Sequence, residues 1–402
     1  MKKNTMTLMT TSVCAAVVAQ AANAGVITAG NLLVSRYGDG TTALSSAATA
    51  VAINEYTTAA SQSSAVQSIA FATSGANQFT DSGSASSDGY LNTYNGYVAI
   101  SGYNSASGTA SVAGTNTKAV QVLDSTGNVV TRSIFPTGGP TGTPPSPFSG
   151  NNIRSAIATG ANTFYSTGTS SGSPNTGGAW YNNGSTFTQV SSTATTPTAQ
   201  PTNMRNVGIF GGQLYASAAT GTYLGVVAVG SGLTTSAGQT STLFINAGTG
   251  ASTYGFVMFD TNSDSIMDLA YLADDRTTTG GGLQKWVLSG STWTNSWSLL
   301  VNATGNTSAS AGTGFTGIRG LTGIWDSVNG AKLYATTTEG SDNRLISILD
   351  KGTTPTTATN LASAGTNYAF RGVAFTPGAI PAPGAVALIG LAGLVGSRRR
   401  RN

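Results

Sequence analysis

The chain has 402 residues, 53 of them glycine, and only 8% are charged, about a third of the ~25% usual for a soluble domain, so its surface is built mostly of neutral polar side chains. There is no histidine and a single cysteine, Cys14, which excludes Ser-His-Asp and Cys-His catalysis, imidazole or thiolate metal sites and a disulfide framework. Subtracting the six positive charges of the two ends (Lys2, Lys3 and Arg398 to Arg401) from the formal +4 leaves a body at −2, a poor partner for a phosphate backbone, so nucleic acid is not an expected ligand.

Residues 1–24 carry Lys2 and Lys3, then an apolar stretch through Leu8, Met9, Val13 and Val18, then Ala22-Asn23-Ala24. This is the layout of a secretory signal with a small-x-small site for signal peptidase, so export across the inner membrane is expected and the mature chain would lack cysteine. Beyond it almost no stretch has apolar residues at helical spacing; short alternating runs punctuated by Gly, Asn and Ser predict an all-β body over residues 25–379.

The first runs are Leu32 to Tyr37, Val51 to Tyr56 and Val66 to Phe71. Next comes Gly89-Tyr90-Leu91, with an Asn95-Gly96 turn and Tyr97-Val98-Ala99. The proline-rich segment from Pro136 to Gly150 reads as a long surface loop, too short to separate two cores. A repeat then becomes visible. Asn152-Ile-Arg154 leads into Ala156 to Thr159, a turn and Phe164-Tyr165-Ser166; Asn203-Met-Arg205 leads into Val207 to Phe210, a turn and Leu214-Tyr215-Ala216. Gly317-Ile-Arg319 does the same through Leu321 to Trp325, Asn329-Gly330 and Leu333-Tyr334-Ala335.

The unit beginning at Tyr254 lacks the arginine and carries an acidic turn: Asp260, Asn262, Asp264 and Asp268 at i, i+2, i+4 and i+8. Oxygen ligands so spaced across a strand-turn-strand could converge on one Ca²⁺; turn formation by Asp and Asn alone is the alternative. This stretch resembles the calcium loop of FG-GAP, or integrin-type, propeller repeats, departing from it at Ser265 where those loops have Gly. The resemblance implies a Ca²⁺ held by these four residues. Downstream, adjacent Asp274 and Asp275 point to opposite faces of a strand and suit turn or salt-bridge duty better than paired acid-base work. Trp293 and Trp297, four apart on an outer strand, are expected on one face.

Five four-strand units result, spaced like somewhat long propeller blades, and the ends complete a sixth: Phe370-Arg371-Gly-Val-Ala-Phe375 resembles a first strand without successors, while the three N-terminal runs lack a predecessor. The expected fold is a single β-propeller of six four-stranded blades, closed by pairing N- and C-terminal strands, with seven blades or an open sandwich as alternatives. In such a body Arg154, Arg205, Arg319 and Arg371 would ring one mouth of the channel as an anion site, or else hold backbone carbonyls of the next blade.

Residues 380–402 contain Pro381 and Pro383, a stretch from Gly384 to Ser397 that is apolar apart from that last residue, and Arg398, Arg399, Arg400 and Arg401. At 1.5 Å per residue the stretch gives about 21 Å of helix, short of the ~30 Å hydrocarbon core, and the arginines hold that end on the cytoplasmic side. Proline motif, short transmembrane helix and arginine cluster together resemble the PEP-CTERM sorting signal of Gram-negative bacteria, with Ala382 where that signal has Glu. The resemblance implies processing by a membrane exosortase and delivery to the cell envelope, cell surface or extracellular matrix. The functional expectation is a non-catalytic propeller that binds or scaffolds, associated with exopolysaccharide; a polysaccharide lyase or hydrolase and a calcium-stabilised adhesion module are the alternatives.

Overall fold

The computed structural model describes residues 25–377; the expected signal peptide, its Ala22 and Ala24 site and the C-terminal sorting segment lie outside the described residues. Within them the protein is all β apart from one 3-10 turn at Val112–Gly114, and no helix is long and apolar enough to cross a membrane.

Four of its five sheets are separate units, each with an up-and-down antiparallel meander. One runs Ile153–Gly160, Thr163–Gly168, Gly178–Asn182 and Phe187–Gln189; the next Met204–Phe210, Gln213–Thr220, Tyr223–Val229 and Ser241–Asn246. The third, Thr253–Phe259, Leu269–Asp274, Gly282–Ser289 and Thr292–Asn302, is extended by short strands at Thr307–Ser308 and Phe315–Thr316. The fourth is Ile318–Asp326, Gly330–Thr337, Arg344–Asp350 and Thr359–Ser363. The fifth sheet, nine-stranded, is two such meanders joined by Thr80–Ser82, a strand absent from the sequence expectation, which pairs with Ala48–Ala50 on one side and with Tyr103 on the other.

The first of these two meanders is the closure. Ala369–Phe375 pairs antiparallel with Leu32–Tyr37, with Leu32 opposite Phe375 and Val34 opposite Val373, and Leu32–Tyr37 pairs onward to Ala48–Tyr56. The second is Leu91–Tyr94, Tyr97–Tyr103, Lys118–Leu123 and Val129–Ile134. The innermost strands Ala369–Phe375, Leu91–Tyr94, Ile153–Gly160, Met204–Phe210, Thr253–Phe259 and Ile318–Asp326 pack each on the next, and the last returns to the first. This is a propeller-like arrangement, and closing the chain on itself leaves no inner edge open.

Burial follows from it. Thr253–Phe259 and Ala369–Phe375 are buried almost throughout, since both faces of an inner strand meet neighbouring sheets, whereas the outer strand Val129–Ile134 is largely exposed. The core is accordingly divided into clusters that lie between successive sheets: Ile157, Val207 and Leu214 in one, Tyr215, Val226 and Phe256 in the next, Tyr271, Ile318 and Leu333 in another. The proline-rich segment is irregular as expected but not wholly superficial, because Phe148 is buried and lies 6.2 Å from Phe135, ring to ring.

One expectation is corrected. Trp297 packs with the Ile318 sheet, whereas Trp293 packs on the opposite face against Phe244, 5.6 Å away. Lys285 pairs with Trp297 but Trp286 pairs with Asn295, so a bulge intervenes between the tryptophans and inverts the alternation.

Candidate functional site

The repeated residue before each inner strand's interior occupies one layer around the axis: Arg371, Tyr90, Arg154, Arg205, Tyr254 and Arg319 in ring order. Backbone contacts stitch this layer. Tyr90 N–H donates to the Arg154 carbonyl at 3.1 Å, and Tyr90 bridges Ser155 in parallel. Three of the ring residues are followed by glycine, and there a side chain has no room: a Cβ on Gly255 would sit 2.7 Å from the Arg319 carbonyl oxygen, one on Gly320 2.1 Å from that of Arg371, and one on Gly372 2.4 Å from the Leu91 amide.

The two tyrosines meet across the axis, with ring centroids 6.3 Å apart, and both are buried. They pack together between opposite members of the ring of inner strands. Arg205 stacks over Tyr254 at 4.0 Å and Arg319 lies over the same ring at 5.8 Å. Burial pushes the Tyr90 phenol well above its usual range, reinforced by Tyr254, so it stays neutral.

The arginines therefore share a layer, as the repeat implied, with Arg154 and Arg371 buried and Arg205 and Arg319 partly exposed. Arg371 is 3% exposed, stacks on Tyr37 at 4.0 Å, donates to the Ser82 and Gly83 carbonyls and lies 3.7 Å from Asp81. Arg205 donates to Ser252 Oγ and the Thr253 carbonyl of the next sheet at 3.0 and 3.1 Å. Arg319 reaches the Thr338 carbonyl at 3.2 Å and Asp275 at 3.5 Å. Arg154 is 9% exposed, and the Nε atoms of Arg154, Arg205 and Arg319 are buried without a hydrogen-bond partner among the described residues.

Beside the layer lies a carboxylate pair that sequence reasoning missed. Asp81 and Asp88 are both fully buried; Asp88 accepts from Tyr103 Oη at 2.9 Å and Asn152 Nδ2 at 2.6 Å. Burial raises both acids, and the Asp88 charge raises Asp81 further, while Arg154 and Arg371 oppose the shifts. Lys118, also buried, donates to the Thr115 and Ala113 carbonyls, and desolvation lowers its ammonium to about 7 despite the Asp88 charge.

A second missed device is a set of hydroxyls on the second strands. Ser35 Oγ donates to the Gly89 carbonyl at 2.9 Å and accepts from Gly372 N at 2.8 Å; Thr336 Oγ1 donates to the Arg371 carbonyl at 2.6 Å and accepts from Gly320 N at 2.9 Å; Thr167 Oγ1 donates to the Arg205 carbonyl. Thr336 and Thr167 each clip a sheet to its neighbour's ring residue, and Ser35 clips its sheet to Gly89, which precedes the ring residue Tyr90. The signal was in the repeat: Tyr165-Ser-Thr167, Tyr215-Ala-Ser217 and Tyr334-Ala-Thr336 place a hydroxyl two residues after the same tyrosine.

The acidic turn faces itself. Asp260 Oδ1 accepts from Asn262, Ser263 and Asp264 amides at 3.3, 2.7 and 3.3 Å, and Oδ2 from Ser265 N at 2.8 Å. Desolvation raises its carboxyl, but the four amides together outweigh it and hold the group below the usual value. Asp268 takes Thr261 N and Oγ1 at 3.0 and 2.9 Å, while Asn262 and Asp264 bond each other. Asp326 holds its own turn the same way, through Val328 and Asn329. No group of three or more His, Cys, Asp or Glu side chains arranged to hold a metal ion is found among the described residues. Asp274 and Asp275 diverge as expected, to Arg276 at 2.8 Å and to Arg319.

Strand pairing and ring closure define an all-β protein of propeller-like architecture. No family model matches the chain, and no curated protein matches it. Among solved structures, a protein from Lactobacillus plantarum aligns at 10% identity with a TM-score of 0.37, covering 82% of each chain. Bacteroides ovatus xyloglucan PUL GH43B aligns at 12% identity with a TM-score of 0.36 over 73% of this chain; the chain spans 57% of that one, less than two thirds. At such scores the architecture rests on the strand pairing alone.

Proposed function

We propose that the protein is an exported, non-catalytic propeller of six blades that binds and scaffolds acidic polysaccharide at the cell envelope or in the extracellular matrix. The count of six divides the nine-stranded sheet at its Thr80–Ser82 link and is supported by the cyclic succession of inner strands. Export and envelope sorting rest on the terminal residues, Lys2 to Ala24 and Pro381 to Arg401, read as signal peptide and exosortase substrate.

The observation that carries the binding role is the part of the axial layer where Arg205 and Arg319 stay partly exposed beside the Tyr90–Tyr254 pair, each with a guanidinium Nε that lacks a hydrogen-bond partner among the described residues. Uncompensated buried donors are costly and gain from a carboxylate or sulfate. A catalytic reading needs two carboxylates opening on one cleft; Asp81 and Asp88 share a field but are sealed.

The test is retention of the full chain on alginate and dextran sulfate against neutral dextran. Retention on the anionic pair that falls with added salt and with Arg205→Gln supports the reading. Equal behaviour on all three, or cleavage of any, overturns it.

A further inference from the structure

A cavity of about 310 Å³ lies between the Thr253 and Ile318 sheets, at the end of the molecule opposite the arginine layer. It is formed where those inner strands finish: the Asp260 turn supplies Thr261 and Asp268, the end of Ile318–Asp326 supplies Trp325, and the turn after it supplies Ser327. Its volume falls at the small end of the ~300–1,000 Å³ range of ligand pockets, which suits a single ring-sized unit.

The floor is a built polar site. Lys285 Nζ pairs with Asp350 Oδ2 across the two sheets at 2.7 Å, with the side chains 13% and 1% exposed. Tyr271 Oη donates to the same carboxylate oxygen at 2.6 Å, and Gly352 N to the other at 2.7 Å. Asp350 is thereby committed to the fold, while Lys285 keeps further N–H donors. Asp268 is steadied by Thr261 and retains acceptor capacity towards the cavity.

The charges of the lining cancel: Lys285 and Lys351 against Asp268 and Asp350. An anion or a cation would meet its own sign as well as its opposite, whereas a neutral molecule with hydroxyls on its rim finds donors and acceptors together. Trp325 supplies an apolar face, half-buried against the core while lining the cavity. We propose that this inter-sheet cavity is a second binding site, one that takes a neutral sugar ring, with the ring's C–H face on Trp325 and its hydroxyls on Lys285 and Asp268. It goes beyond the axial anion site and stands independently of it.

The probe is a panel of methyl glucoside, methyl galactoside, methyl mannoside and N-acetylglucosamine, titrated into the full chain and followed by ligand-observed NMR saturation transfer. At least one should saturate with a Kd on the order of 1 mM, insensitive to salt. Trp325→Ala should weaken it at least tenfold, and Trp325→Phe should restore most of that loss. Because Trp325 also packs on the core, Ser327→Phe serves as a second variant: the residue is exposed on a turn, and the added ring would fill the mouth without touching the interior. The proposal is overturned if no glycoside binds, if binding persists in both Trp325→Ala and Ser327→Phe, or if sulfate binds there in preference to every sugar. Retention on alginate is expected to be unchanged in these variants, so the two sites fail separately.

Discussion

Thr336→Val tests the sheet-to-sheet clip directly. The substitution keeps the shape of the side chain and removes one oxygen that both donates to the Arg371 carbonyl at 2.6 Å and accepts from Gly320 N at 2.9 Å, all of it buried. Two backbone groups lose their partner at the closest approach between the Ile318 strand and the closing strand, where an added Cβ on Gly320 would already collide, so neither can swing to water. At ~1–3 kcal/mol for each of the two stranded groups, the expected loss is about 2–6 kcal/mol. With an unfolding entropy of ~2.1 cal/mol/K per residue, a body of this size loses about 1–2 °C of Tm per kcal/mol. The assay is denaturant unfolding with calorimetry, beside Thr292→Val on an exposed outer strand as control. A Thr336→Val protein within about 0.5 kcal/mol of its parent, the typical range of surface changes, would refute the clip as a source of stability.

Three further outcomes follow from the same geometry. Lys118 is held near 7 in the fold against 10.5 for the free group, so the unfolded chain binds more protons between those values; stability should rise with pH from about 7, at up to ~1.4 kcal/mol per unit, until the buried tyrosines intervene, and Lys118→Met should flatten the rise in a pH series of unfolding midpoints. Tyr254→Ala empties the axis and leaves Arg205 without its ring at 4.0 Å; a loss of about 3–5 kcal/mol is expected by denaturant titration. Asp260→Ala should lower Tm by freeing the amides of Ser263 and Ser265, and millimolar Ca²⁺ should leave the parent Tm unchanged; a calcium-dependent rise that vanishes in Asp264→Ala would instead establish a metal role.

Strand positions were legible because each strand needs only local alternation and a turn. Leu32 to Tyr37 was read to the residue, and the inner strands were found from the recurring Arg or Tyr and the tyrosine that follows each turn. The bulge between Trp293 and Trp297 was not legible, since one extra residue in a polar run leaves the composition unchanged while inverting every face beyond it. Thr80–Ser82 was missed because three residues carry no period.

The sequence by itself determined the all-β class, the ring position of Arg154, Arg205, Arg319 and Arg371, and the unpaired first and last runs that had to meet. The tertiary structure alone decided what those residues face. Tyr90 and Tyr254 are 164 positions apart in the chain yet 6.3 Å apart in space, and they pack together inside the ring that the repeat only outlined. Asp81 with Asp88, the Ser35 and Thr336 clips and the Lys285–Asp350 floor likewise join partners on different sheets. Periodicity reports which face of a strand is inward; which neighbour waits there depends on ring closure, and that is a property of the whole chain.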